Sequence, residues 1–107
     1  MIIFRDAEEF PVIGLDCQWT QIYDRNRRQP VALLQVSSHK GKVALVRLSR
    51  NQQLPHALGL LLNNPRIIKS GIETIKDAQY LRNDYGIDVK GTYDLRYLAE
   101  AVGLKPN

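Results

Sequence analysis

With 107 residues, 44% of them hydrophobic and 24% charged, the chain is long enough to bury a modest core without a metal or disulfide staple. A net charge of +4 and a pI near 9.4 favour polyanionic partners such as nucleic acid without singling them out. The single cysteine, Cys17, excludes an internal disulfide and a zinc–thiolate cluster and points to an intracellular protein, while no apolar run approaches the roughly 18 residues of a membrane span.

The start, Met1-Ile2-Ile3-Phe4-Arg5-Asp6, lacks the layout of a signal peptide. The first clear element is 12–19, apolar at its beginning and alternating from Leu15 onward, which predicts a central strand ending at an edge or pocket. Residues 20–30 are polar and arginine-rich and read as a loop. Two further strands follow at 31–36 and 43–48, separated by the turn 37–42, and the three strands form an antiparallel meander. The period then changes. Leu54, Leu58, Leu61 and Leu62 share one helical stripe, which Asn63-Asn64-Pro65 stops. A short strand at 67–71 leads to a second helix, 74–85, with Ile75, Ala78, Leu81 and Arg82 at helical spacing and Gly86 just beyond its end. An extended stretch reaches Asp94, and a third helix runs from about Leu95 to Val102.

The predicted order is β-β-β-α-β-α-β-α, a mixed α/β sheet with helices packed on it, in a single domain over 1–107. Residues 104–107 complete no element, so a larger domain is expected to continue past them.

Several residues can carry chemistry, and each has a plainer reading. Asp16 and Gln18, two apart on a strand, share a face. Asp16 is either a strand-end acid satisfied by backbone donors or an arginine, or a metal ligand. Asp77 fits a helix cap, because Thr74-x-x-Asp77 has capping-box spacing and suits the helix dipole. Asp94 fits an N-cap of the third helix. Arg25, Arg27 and Arg28, with Lys40 and Lys42, are solvated loop charges or phosphate contacts. Trp19 and Tyr23 either stack a base or, for Trp19, fill the core rim. His39 and His56 read as surface residues. No Ser or Cys nucleophile is paired with a base, and there is no Gly-rich phosphate loop.

Taken together, 12–19, 31–36, 43–48, Leu54-Pro55, 68–72, Lys76-Asp77-Ala78, Leu81, 84–87 and 94–99 resemble the DEDD superfamily of 3′–5′ exonucleases, in its ribonuclease D, Werner-syndrome and Exd2-like groups. The resemblance implies a ribonuclease-H-like fold and a metal-dependent hydrolase acting on DNA or RNA. In that family four acidic residues hold two Mg²⁺ or Mn²⁺ ions, which generate a hydroxide and stabilise the leaving 3′-oxygen. The Asp-x-Glu motif falls on Asp16 and Gln18, and the second motif falls on Asp77; Asp94 matches a position outside the metal set. Gln18 replaces a glutamate, leaving a weaker, neutral ligand. No Tyr-x-x-x-Asp or His-x-x-x-x-Asp follows Asp94 before Asn107, so the C-terminal helices of the family are absent from the 107 residues. One ion or none is then expected, with impaired catalysis. The alternative is an inactive nucleic-acid-binding or protein-interaction module on the same fold. An apolar sheet face without its late helices is also expected to favour homo-oligomers.

Overall fold

A computed structural model of the chain describes residues 2–19, 30–49, 51 and 53–103. The loop read at 20–30 therefore lies almost wholly outside the described residues, and Arg25, Arg27 and Arg28 with it. The elements are α1 (Ile2–Glu9), β1 (Val12–Trp19), β2 (Val31–Ser38), β3 (Val43–Arg47), α2 (His56–Asn63), β4 (Ile68–Gly71), α3 (Thr74–Tyr85), β5 (Thr92–Asp94) and α4 (Leu95–Ala101). Five strands join in the order β3-β2-β1-β4-β5. The first three pair antiparallel, as the meander predicts, and β4 and β5 add in parallel. Among the described residues no helix is long and apolar enough to cross a membrane.

The alternation along β1 divides the sheet. Ile13, Leu15 and Cys17 are buried on one face, together with Leu34 and Val36 opposite them on β2. Leu58, Leu61 and Leu62 of α2, Leu81 of α3 and Ile3 and Ala7 of α1 complete that core. Among the described residues, the other face carries exposed side chains. Directly opposed residues share a face, so Asp16, Gln35 and Leu45 form one row there, and Leu45 is 63% exposed. Tyr93 on β5, 44% exposed, lies on the same side through its register with Ser70 and Gly14.

Two differences from the sequence reading, and one buried cation it did not address, have physical causes. Helix α1 precedes the predicted order; its buried positions Ile3, Asp6 and Ala7 have helical spacing, but the middle one is an acid. Asp6 is accommodated because Ser38 Oγ donates to its Oδ2 at 2.6 Å, a partner 32 residues away. Helix α3 keeps its predicted bounds and its left-handed Gly86 cap, yet it buries Thr74, Asp77 and Leu81 while Ile75 is exposed. Lys69 on β4 is fully buried, its ammonium donating to the Asn64 carbonyl at the end of α2 at 2.6 Å.

Candidate active site

The site arises from unequal strand lengths. Strand β1 extends to Trp19, but β4 pairs with it only from Val12 to Gly14. Beyond that point the outer edge of β1 has no ladder partner among the described residues, and the first turn of α3 lies beside it. Close approach is required here. A Cβ on Gly71 would lie 2.5 Å from the Leu15 carbonyl oxygen, so only glycine lets the chain leave β4 this close to β1. Asp77 then accepts the Cys17 backbone N–H.

Asp77 is 5% exposed, and its Oδ2 is buried without a hydrogen-bond partner among the described residues. Burial first, then the charges of Asp16 and Glu73, push its carboxyl up to about 6. The same two aspartates, after burial, help push the Cys17 thiol up to about 12, which keeps it protonated and inert as a nucleophile. Asp16 and Gln18 are exposed on the open sheet face. The fold thus brings Asp16 and Asp77, 61 positions apart in sequence, into mutual electrostatic range around one strand edge, with Gln18 two residues along. Among the described residues no group of three or more His, Cys, Asp or Glu side chains converges to hold a metal.

The capping-box reading of Asp77 is corrected by this geometry. The N-cap of α3 is Glu73, in the left-handed region at φ 57°, with no side-chain cap bond. Thr74 is the first helical residue, and its Oγ1 is buried and unpartnered. Asp77 faces β1 instead of its own helix end. Asp94 does fill the role predicted for it and more. Its Oδ1 accepts the Arg96 N–H at 2.9 Å, as an N-cap does, and its Oδ2 accepts the Glu73 N–H at 2.9 Å. The Arg96 guanidinium closes on the same carboxylate at 2.7 Å and on Glu73 at 3.6 Å. Asp94 therefore pins the turn from which α3, and with it Asp77, departs. The link to Glu73 spans 21 residues and is invisible to local motif reading.

Trp19 is half-buried against the core, edge-on to Tyr80 at 5.5 Å, with its Nε1 unpartnered. Its place is the rim of the site, between β1 and α3. Lys76 sits 5.8 Å from the Tyr80 ring centre. His39 is exposed and packs on Phe10, and His56 is exposed at the start of α2.

Comparison with known proteins agrees with this geometry. A 3′–5′ exonuclease family model matches residues 2–106. The Drosophila melanogaster exonuclease 3′–5′ domain-containing protein 2 is 44% identical over 100 residues, covering 94% of this chain and 17% of that protein. The mouse bifunctional 3′–5′ exonuclease/ATP-dependent helicase WRN is 30% identical over 88 residues, 82% of this chain and 6% of that one. A crystal structure of the EXD2 exonuclease domain soaked in Mn superposes with a TM-score of 0.85 at 38% identity, covering 94% of this chain and 51% of that one. The chain thus spans about half the length of that solved domain and under a fifth of these curated relatives. The mixed sheet with its helices is the ribonuclease-H-like fold of those structures, and the chain belongs to the 3′–5′ exonuclease family.

Proposed function

We propose that this chain carries one side of a metal-dependent 3′–5′ exonuclease centre, with Asp16 and Asp77 as its carboxylates and Gln18 as a weakened third ligand. The observation that carries the reading is Asp77: a buried acid with an orphaned oxygen, its carboxyl raised by burial and then by the neighbouring Asp16. Unpaired buried carboxylates are costly, and a cation beside both acids removes that cost. The donors are all oxygens, which suits the hard Mg²⁺ or Mn²⁺ in which related EXD2 crystals were soaked, several of them with GMP or dGMP.

Two carboxylates and an amide fit one divalent ion; they do not fit a fixed pair of ions. When bound, the ion supplies charge neutralisation at a phosphate. The chain's own residues set the rest. Gly71 and Asp94 hold α3 against β1, Cys17 N–H orients Asp77, and Trp19 with Tyr80 shields the covered side of the site. Gln18 keeps the shape of a glutamate without its charge, so hydrolysis is impaired. That same substitution favours a second reading, a nucleic-acid-binding or protein-interaction module that keeps the fold and has abandoned the chemistry.

Calorimetric Mn²⁺ titration of the chain, Asp16→Asn and Gln18→Glu tests the first reading. Weak binding is expected in the chain, none in Asp16→Asn, and about ten-fold tighter binding in Gln18→Glu. Loss of a 3′ label from an oligonucleotide by the natural full-length protein, dependent on Mg²⁺ or Mn²⁺, is the matching activity test. If Gln18→Glu binds no metal either, the centre needs the family's late helix or has been abandoned, and the module reading moves ahead.

A further inference from the structure

The residue before α3 carries two costs that a glycine would remove. Glu73 is the one non-glycine residue at positive φ among the described residues, at φ 57° and ψ 36°. A Cβ disfavours that left-handed region, and helix N-caps are ordinarily extended. The second cost is electrostatic. Asp77 lies in the first turn of α3, and its N–H donates to the Glu73 carbonyl at 3.0 Å. The Glu73 carboxylate is close enough to join Asp16, after burial, in opposing the Asp77 charge.

Little among the described residues offsets the two. Asp94 holds the turn through the Glu73 backbone N–H, a donor that any residue but proline supplies. The Glu73 side chain pairs with the Arg96 guanidinium at 3.6 Å, and both side chains are nearly half exposed. Such a pair contributes little, and Arg96 is held more closely by Asp94, at 2.7 Å.

A cation reverses the sign of the electrostatic cost. Gln18 leaves the candidate ligands with only the negative charges of Asp16 and Asp77. The buried Oδ2 of Asp77 has no hydrogen-bond partner among the described residues. A divalent ion held there is attracted by the same Glu73 charge that the aspartates repel. Among the described residues these acids do not converge as a set of ligands, so Glu73 acts as a neighbouring charge and not as a ligand. Every contact involved lies within the chain.

We propose that Glu73 is a positioning residue for the cation, its carboxylate, kept at the start of α3 beside Arg96, supplying the negative charge that Gln18 lacks and so tightening divalent-ion binding at Asp16 and Asp77. This rests on the metal reading above and adds to it a residue outside the family's motif positions.

The test is calorimetric Mn²⁺ titration of the chain, Glu73→Gln and Glu73→Gly at about 10 and about 500 mM KCl, with thermal unfolding of each without metal. Each variant is also made in the Gln18→Glu background, so that a site too weak to titrate in the unsubstituted chain still reports. Glu73→Gln is expected to weaken Mn²⁺ binding about five-fold at the lower salt and less than about two-fold at the higher, where a half-exposed charge is screened. Glu73→Gly is expected to weaken binding equally while raising the metal-free unfolding midpoint by about 4 °C, since strain and repulsion are both relieved. A Glu73→Gly chain that unfolds at lower temperature and binds Mn²⁺ unchanged makes Glu73 a structural partner of Arg96 and overturns the proposal. Unchanged Mn²⁺ affinity in Glu73→Gln at low salt overturns it too, and leaves the reading of Asp16 and Asp77 standing. No binding in either background overturns both the proposal and, for this chain, the metal reading.

Discussion

Two aspartates, Asp94 at the end of β5 and Asp77 in the first turn of α3, are almost equally buried and have opposite fates. Asp94 is 4% exposed and both its oxygens are bonded, to the Glu73 N–H, the Arg96 N–H and the Arg96 guanidinium. The guanidinium hydrogen bonds lead in holding its carboxyl down at about 2. Asp77 is 5% exposed, has one backbone donor and an orphaned oxygen, and sits near 6 because burial and neighbouring acids oppose its charge. A saturated acid is a brace. An under-satisfied acid next to another acid is, on the proposed reading, an acceptor where a cation would bind. The brace holds the acceptor in place, since Asp94 anchors the turn that starts α3.

Asp77→Asn has the largest expected effect, and it separates the two roles. Mn²⁺ affinity measured by calorimetry should fall about 100-fold or more. Metal-free stability at neutral pH should instead rise, by about 1 kcal/mol, because a disfavoured charge is gone. The sign follows from the direction of the shift. A carboxyl raised in the folded state makes stability fall as pH climbs from about 4 through 6, so the unsubstituted chain should lose ground to Asp77→Asn over that window in chemical denaturation. Parallel curves for the two proteins would remove the distinction between acceptor and brace.

Asp94→Ala should lower the unfolding midpoint by about 10 °C, since it frees two backbone donors and a guanidinium together. Weaker Mn²⁺ binding should accompany it as α3 loosens. Because this carboxyl is depressed, its contribution is complete above about pH 4 and is lost only as pH falls towards 2. An unchanged midpoint contradicts the bracing role.

Lys69→Met has the smallest expected effect. Burial pushes this ammonium down to about 8, and the Asn64 carbonyl is its bonded partner. An apolar side chain of similar length should stabilise the fold by about 1 kcal/mol at pH 7. That advantage should shrink as pH rises from about 8 towards 10.5, where the folded lysine sheds its proton before the unfolded one does. A destabilised Lys69→Met would mean that the bond to the α2 terminus outweighs the cost of burying the charge.

The predictability of the individual elements follows from how local their causes are. Alternation along 12–19, the α2 stripe of Leu58, Leu61 and Leu62 and the stop at Asn64 depend on neighbours a few residues away and appear where the pattern puts them, whereas Leu54, expected on the same stripe, lies before the helix starts. The left-handed Gly86 cap at φ 67° is equally local. Helix α1 escaped because an acid occupies its buried stripe and its partner, Ser38, belongs to another element. The face of α3 was misjudged because apolar spacing favoured Ile75, while the gap beside β1 draws in Thr74 and Asp77.

The sequence by itself determined the five strands, every helix but α1 and the mixed sheet, and its family resemblance marks Asp16, Gln18 and Asp77 as candidate ligands. Only the tertiary structure decided what those acids experience: that Asp77 meets Cys17 and Asp16 instead of capping its helix, and that Asp94 braces the turn. The division is physical. Periodicity and capping are set by a few adjacent residues, whereas the cost of burying a charge depends on which distant groups the fold brings to it.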